Sequence, residues 1–140
     1  MAEVKFYFNA PDRITTACSI AGKAVRQGHR VLVYAPDGET ARRFDQLLWS
    51  VQPLSFVPHV AASSPLADRT PVVIATSLDK PAHQDVLLNL DDAPPTDFSA
   101  FNMLVEIVST QEEDRQQARQ RWQTFKQQGH TITAHDLAKS

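Results

Sequence analysis

The sequence predicts an α/β fold: a Rossmann-like, mostly parallel sheet with helices on both faces. Short apolar runs typical of strands alternate with longer segments whose apolar residues recur at helical spacing, which favours parallel strands joined by crossover helices. One run, residues 30–34, is almost continuously apolar, as expected for a strand covered on both faces. The 140 residues, 42% hydrophobic and 21% charged, suit one domain with a single core over residues 1–140.

The first half of the chain predicts a βαβα unit. A strict alternation of apolar residues indicates the first strand, and apolar spacings of three and four indicate two helices. The expected elements are a strand at residues 4–8, a helix at 13–27, a strand at 30–34 that should be central, and a helix at about 41–51. Gly28 should end the first helix in the left-handed conformation, and Thr40 is the candidate cap of the second.

The second half of the chain predicts three more strands and a last helix. The expected elements are strands at residues 71–75, 86–90 and 103–108, one helical turn at 98–101, and a helix at about 111–128. Thr110 and Glu113 have the spacing of a capping box for the last helix, and Gly129 supplies its stop.

The segment LLWSVQPLSFVPHV, residues 47–60, places large apolar residues beside two prolines. Pro53 and Pro58 each remove a backbone donor and fix φ, so Phe56 and Val57 suit an extended piece that the interior of a sheet would reject. Such a piece is either a lid on the protein's own core or half of an interface with a partner.

Composition restricts the function classes. The formal net charge of -2 gives no general positive field for a nucleic-acid backbone, so any nucleic-acid role should be local or indirect. The single cysteine, Cys18, can form no internal disulfide and lies in an apolar-periodic segment, where a buried inert thiol is expected. Because no segment resembles a secretory leader or a membrane span, we expect a cytoplasmic protein.

The sequence lacks the nucleotide-binding signals of Rossmann enzymes. The turn at residues 9–13, NAPDR, has none of the glycines that let a backbone approach a pyrophosphate. The five histidines show no ligand spacing, Cys18 has no CxxC partner, and no serine lies in a GxSxG elbow. The densest carboxylates, at 91–92 and 112–114, suit a turn and the first turn of a helix. We therefore expect no catalytic residue, metal or cofactor.

The last predicted helix, TQEEDRQQARQRWQTFKQQG, carries a stripe of cations and one indole. Arg115, Arg119, Trp122 and Lys126 are separated by four, three and four residues, which places them on one helix face. The ordinary interpretation is a solvated face whose long stems cover the core. The functional interpretation is a pocket for an acidic, partly apolar peptide. In it, Arg119 binds a carboxylate and Trp122 forms one wall of an apolar slot. A nucleic-acid strand could use the same residues.

Several segments resemble the chi subunit family of bacterial DNA polymerase III holoenzyme. They are KFYF, RVLVYAPDGETARRFDQLLW, SFVPH, VLLNL and ARQRWQTFK, and the block from LLW to SFVPH is the most specific. The resemblance implies a Rossmann-type domain without a nucleotide site that acts as an adaptor and not as a catalyst. It also implies two partners: the small psi subunit of the clamp-loader complex, in a heterodimer, and the acidic C-terminal tail of single-stranded-DNA-binding protein, which ends in phenylalanine.

The resemblance further implies two sets of binding residues. The psi-binding surface would comprise Trp49, Phe56, Pro58 and His59. The tail-binding site would comprise Val108, Arg115, Arg119, Trp122 and Lys126. The family commonly has tyrosine at the position of Trp122, and Gln123 stands where a basic residue sometimes occurs.

Three hypotheses follow from the sequence. The first is an adaptor that joins the clamp loader to coated single-stranded DNA, with nucleic acid contacted only indirectly and no membrane involved. The second is an enzyme of nucleotide or nucleic-acid chemistry on the same fold. The third is direct binding of single-stranded DNA through the cationic stripe.

Overall fold

A parallel sheet flanked by helices organises the chain in a computed structural model. It describes residues 3–51, 58–78, 81, 83–95, 98 and 100–139, apart from the side chains of residues 49–51, 68 and 139. Within these ranges seven strands form one sheet: β1 (Glu3–Ala10), β2 (Val31–Tyr34), β3 (His59–Ala61), β4 (Val72–Ala75), β5 (Val86–Asn89), β6 (Met103–Ser109) and β7 (Thr131–Asp136). The α-helices are α1 (Arg13–Arg26), α2 (Gly38–Val51) and α3 (Glu112–Gln127).

All neighbouring strands of the sheet run parallel, in the order β3-β4-β2-β5-β6-β1-β7. β2 is paired on both sides, with β4 and β5, as its apolar run predicts. β1 lies between β6 and β7, with Val4 beside Leu104 on one side and Ile132 on the other. The carboxyl ends of the strands therefore meet along one edge, where ligands of such sheets usually bind.

The core consists of two apolar layers, one on each face of the sheet. Val31 and Val33 of β2 contribute to the layer that α1 and α2 cover, and Leu32 between them contributes to the layer that contains buried residues of α3. This alternation follows from the period of two along a strand. The predicted α/β fold with helices on both faces is confirmed.

Cys18 belongs to the layer beneath α1 and α2. Its thiol lies 3.7 Å from the carbonyl oxygen of Phe44, to which it donates. Burial raises the pKa of Cys18 to about 12. The thiol therefore stays protonated at neutral pH, in agreement with the expectation of an inert buried cysteine.

The ends of the helices confirm some sequence predictions and correct others. Gly28 and Gly129 have φ angles of 90° and 84°, so both predicted glycine stops are confirmed. Thr40 is not the cap of α2, because the helix already begins at Gly38 and the Thr40 hydroxyl donates to Asp37. Asp37 also accepts from the backbone nitrogen of Glu39, at 3.3 Å, as a capping side chain does.

Two further predictions concern the second half of the chain, and the first of them is wrong. The capping box of Thr110 and Glu113 does not form, since α3 begins at Glu112 after Gln111, which makes no side-chain cap bond. Asp114 instead accepts from the backbone nitrogen of Ser109 at 2.7 Å. At the turn predicted over 98–101, the nitrogen of Phe101 donates to the carbonyl of Phe98 at 3.0 Å, and residue 99 lies outside the described residues.

The sequence did not predict the two edge strands. β3 follows Pro58 directly and pairs with β4 at the margin of the sheet. Phe56 and Val57, which are predicted to be extended, lie outside the described residues. β7 is mostly exposed and polar and therefore lacks the apolar pattern by which strands are recognised.

His83 predicts a pH dependence of stability. It is buried just before β5, and neither ring nitrogen has a hydrogen-bond partner among the described residues. Burial, aided by the charge of Arg30 and opposed by Asp85, lowers the pKa of His83 from about 6.5 to about 4. Below pH 6.5 the unfolded chain thus binds a proton that the folded chain does not bind. His83 should therefore destabilise the fold by roughly 3 kcal/mol as the pH falls from 6.5 to 4.

The contribution of His83 is measured by urea unfolding at several pH values between 4 and 7. The wild-type free energy of unfolding should fall more steeply toward pH 4 than that of His83→Met, in which the other titrating groups are unchanged. Equal slopes for the two proteins would show that His83 is protonated equally easily in the folded and unfolded chain.

Candidate functional site

A cleft of about 510 Å³ opens between α3 and the side of the sheet formed by β6, β1 and β7. Its lining combines aromatic rings, small apolar side chains and three polar side chains. These residues are Phe6, Phe8 and Trp122; Val108, Ala118 and Ala134; and Asn9, Arg115 and Arg119. Ligand pockets in proteins commonly have this composition, mostly apolar with a few placed polar groups.

The apolar part of the cleft is built where α3 docks on β1. Ala118 and Phe125 of α3 are buried, and the half-buried Trp122 lies between this edge and solvent. The Trp122 ring contacts Phe6 of β1, with ring centroids 5.0 Å apart and planes tilted by 52°. This contact fixes the indole as a wall of the cleft, because aromatic pairs at such distances are attractive.

The two arginines of the cleft are held differently. Arg115 is partly buried and donates from Nη2 to Oδ1 of Asn9 at 2.9 Å. Arg119 is 68% exposed, and its Nη1 lies 3.5 Å from Oε1 of the equally exposed Glu112. Exposed ion pairs contribute little to stability, so a ligand could displace Glu112 from Arg119 at small cost.

The structure brings four of the five residues of the predicted tail-binding site together. Val108, Arg115, Arg119 and Trp122 line the same cleft. Lys126 is exposed one turn further along α3 and is not part of the lining. The sequence reasoning did not find the other lining residues: Ala134, because β7 was not predicted, and Phe6, Phe8 and Asn9, because the strand order that places β1 beside α3 is not visible in the sequence.

Only two residues of the predicted psi-binding surface can be described in full. Pro58 is exposed at the start of β3. The side chain of His59 is buried, and its Nε2 lies 3.1 Å from Oδ1 of Asp45 on α2. Trp49 belongs to α2 but its side chain lies outside the described residues, as does Phe56.

A second cleft, of about 420 Å³, lies at the carboxyl edge of the sheet, where Rossmann enzymes bind nucleotides. Its ionisable lining residues are mostly acidic: Asp12, Asp37, Asp91, Asp92, Glu113 and Asp114 against Arg13 and Arg43. Because phosphates are themselves anionic, this excess of carboxylates disfavours a nucleotide. The Asp12 side chain is already hydrogen-bonded within the protein, since it accepts from the backbone nitrogen and the hydroxyl of Thr15 at the start of α1.

A fully buried ion pair lies at the same end of the sheet. The Nε of Arg121 donates to Oε1 of Glu106 at 3.0 Å, and neither side chain is exposed. Asn89 donates to the other oxygen of Glu106 at 2.9 Å, and Arg13 lies 3.9 Å from the carboxylate. Burial raises the pKa of Glu106, while the charge of Arg121 and the bond from Asn89 oppose that rise.

Sequence reasoning missed this pair, although the helical spacing contains a sign of it. Arg121 stands three residues after Ala118 and four before Phe125, both of which are buried. Residues at such spacings share a helix face, so Arg121 occupies a core position. A charged side chain there requires a buried partner, which Glu106 of β6 provides.

The part of the chain that the structure describes contains neither a candidate metal centre nor a candidate membrane span. There, no three or more His, Cys, Asp or Glu side chains are grouped so that they could hold a metal ion. No described helix combines the length and apolar character needed to cross a bilayer.

Comparison with known proteins identifies the family. Residues 1–133 match the family model described as DNA polymerase III chi subunit, HolC. The chain belongs to this family. It is therefore related to a replication component, an accessory subunit of DNA polymerase III.

Two relatives illustrate how far the chi family similarity extends. The DNA polymerase III subunit chi of Pseudomonas aeruginosa is 29% identical over 143 residues, which cover 99% of each chain. The subunit chi of Escherichia coli strain K12 is 31% identical over 116 residues, which cover 82% of this chain and 79% of the relative. The similarity thus includes β1, the segment 47–60 and α3 together in the Pseudomonas comparison.

Proposed function

We propose that this chi family protein is a cytoplasmic replication adaptor without catalytic activity of its own. In this proposal the α3 cleft binds the acidic C-terminal tail of single-stranded-DNA-binding protein. The surface around Trp49, Phe56, Pro58 and His59 binds the psi subunit and thereby joins the clamp-loader complex. The observation that carries the proposal is the α3 cleft, which combines aromatic walls with two arginines.

Charge complementarity favours an acidic ligand for the α3 cleft. Its ionisable lining residues are Arg115 and Arg119, and no carboxylate is among them. The chain as a whole is slightly acidic, with a formal net charge of -2. An acidic peptide is therefore attracted to this site and repelled elsewhere, which gives specificity and faster association.

The apolar walls favour a ligand that ends in a large side chain. A phenyl ring could enter between Trp122 and Phe8 and remain close to the guanidinium groups of Arg115 and Arg119. A C-terminal phenylalanine carries its ring and its carboxylate on the same residue, so both parts of the cleft are used at once. Fully burying such a ring contributes roughly 1.5–3 kcal/mol, enough to add to the ionic contacts.

Titration of the full chain with two labelled ligands tests the proposed function. The first is a peptide with several aspartates, a proline and a free C-terminal phenylalanine, and the second is a bare single-stranded oligonucleotide. The peptide should bind and the oligonucleotide should not at physiological salt, because few cations are available to neutralise phosphates. Oligonucleotide binding with a steep salt dependence and no peptide binding would instead favour direct DNA binding.

The psi interface predicts a loss of partner binding in two single variants. Trp49→Ala or Phe56→Ala should prevent co-purification of a co-expressed psi subunit, because truncating an aromatic anchor at an interface centre typically costs about 2 kcal/mol. Prolines restrict the conformations that a free chain can adopt, so a proline-containing segment loses less conformational entropy when a partner binds it.

Circular dichroism and thermal unfolding of the isolated variants serve as the control for that experiment. Both variants should keep the secondary structure of the wild type and its midpoint of thermal unfolding. If both unfold when no partner is present, the two aromatic side chains belong to the protein's own core, and the lid interpretation of residues 47–60 is correct.

A further inference from the structure

Asn9 has an unusual backbone conformation at the rim of the α3 cleft. Its φ angle is 64°, and it is the one non-glycine residue with positive φ in the described part of the chain. It lies where the register of β1 against β6 shifts, between Tyr7 and Ala10. Asparagine tolerates this conformation better than most residues, yet such residues remain uncommon and often have a local role.

The bulge directs the Asn9 amide between β7 and α3. Its Nδ2 donates to Oδ1 of Asp136 at the end of β7, at 2.8 Å. Its Oδ1 accepts from Nη2 of Arg115 at 2.9 Å. Both ends of the amide are thus used, which fixes the amide orientation and, through it, one guanidinium nitrogen of Arg115.

Arg115 is held by a neutral group in this arrangement. Its side-chain partner is a neutral amide oxygen, and among the described residues it forms no ion pair with a carboxylate. A guanidinium has five N–H donors, so a single bond to Asn9 leaves several for a ligand. Arg119, by contrast, is exposed and lies beside Glu112.

We propose that Asn9 is a positioning residue that holds Arg115 in the cleft for the carboxylate of a peptide. The inference rests on the proposed function, since it names the group that prepares that same site. An arginine already held in one rotamer loses less conformational entropy when it binds, so the ligand is bound more tightly. Losing this preorganisation should weaken peptide binding about fivefold.

Two variants of Asn9 separate positioning from a structural role. Asn9→Gly removes the amide and keeps the positive φ without strain. Asn9→Asp, made together with Asp136→Asn so that two carboxylates do not face each other, also tolerates that φ and keeps an acceptor for Arg115, but it moves a negative charge toward the ligand carboxylate. The measurements are the side-chain order of Arg115 by ¹⁵N relaxation of its Nε, without ligand, and the affinity for the aspartate-rich peptide ending in phenylalanine.

The inference predicts a different pattern for each variant. In Asn9→Gly, Arg115 should lose order and the peptide should bind about fivefold more weakly, but the same change should cost little in an Arg115→Ala background. In Asn9→Asp with Asp136→Asn, Arg115 should stay ordered while affinity still falls. Unchanged Arg115 order in folded Asn9→Gly would overturn the inference, as would an equal loss of affinity with and without Arg115. If the wild type binds no peptide while Arg115 loses order in Asn9→Gly, the proposed function fails and the positioning stands.

Discussion

Replacing Arg121 with methionine is expected to lower the free energy of unfolding by about 3–5 kcal/mol. The change leaves the Glu106 carboxylate completely buried without its ion-pair partner, with Asn89 at 2.9 Å and Arg13 at 3.9 Å as the remaining neighbours. Since folded proteins are stable by only about 5–15 kcal/mol, such a loss is a large fraction of the total. Urea unfolding followed by tryptophan fluorescence measures it.

The loss in Arg121→Met should also grow as the pH rises. Burial already raises the pKa of Glu106 above its usual 4.5, and removing Arg121 raises it further. Between the unfolded and folded pKa values the unfolded chain releases a proton that the folded chain retains, so stability falls with increasing pH. The deficit relative to wild type should therefore be larger at pH 8 than at pH 5.

Two control variants locate the effect in the buried pair. Arg43→Met removes an exposed arginine of α2 and should change stability by no more than about 0.5 kcal/mol. The double variant Arg121→Met with Glu106→Leu removes both charges and should recover most of the lost stability, because apolar replacement of a buried pair is often nearly neutral. A double variant as unstable as Arg121→Met would show that the arginine stabilises the fold through packing or through its hydrogen bond to the backbone carbonyl of Asp92, and not through Glu106.

The sequence predicted those elements of the fold that bury an apolar face. β2, β4 and β5 are buried along their whole lengths, apart from the partly buried Tyr34, and their continuous apolar runs indicated them. β7 is stabilised chiefly through its parallel pairing with β1, from Glu3 beside Thr131 to Phe8 beside Asp136. Such long-range pairing leaves no local apolar pattern in the strand itself, so the sequence could not reveal β7.

The site was predictable to the extent that it lies on one helix. Arg115, Arg119 and Trp122 share a face of α3, and helical spacing alone places them together. Asn9 could not be found in this way, since its partners Arg115 and Asp136 are 106 and 127 positions distant in the chain. Their contact depends on β1 lying between β6 and β7, which is a property of the strand order.

Amidating the C-terminus of the acidic peptide is expected to weaken its binding to the wild type by roughly a hundredfold, because its carboxylate is the group that Arg119 and Arg115 would bind. Arg119→Ala should weaken binding of the free-acid peptide about tenfold, since Arg119 lines the cleft. Lys126→Ala should weaken it only about twofold, because Lys126 is exposed outside the lining and is screened by salt.

The decisive quantity is the coupling between the peptide carboxylate and Arg119. If the two groups interact, amidation should cost Arg119→Ala far less affinity than it costs the wild type, and the four affinities form a double-mutant cycle that measures their interaction. Added salt should weaken the contribution of the aspartates and leave much of the contribution of the phenylalanine ring, which depends on apolar burial against Trp122 and Phe8. Equal losses on amidation in both proteins would exclude Arg119 as the carboxylate's partner and leave Arg115, already held by Asn9, as the remaining guanidinium of the cleft.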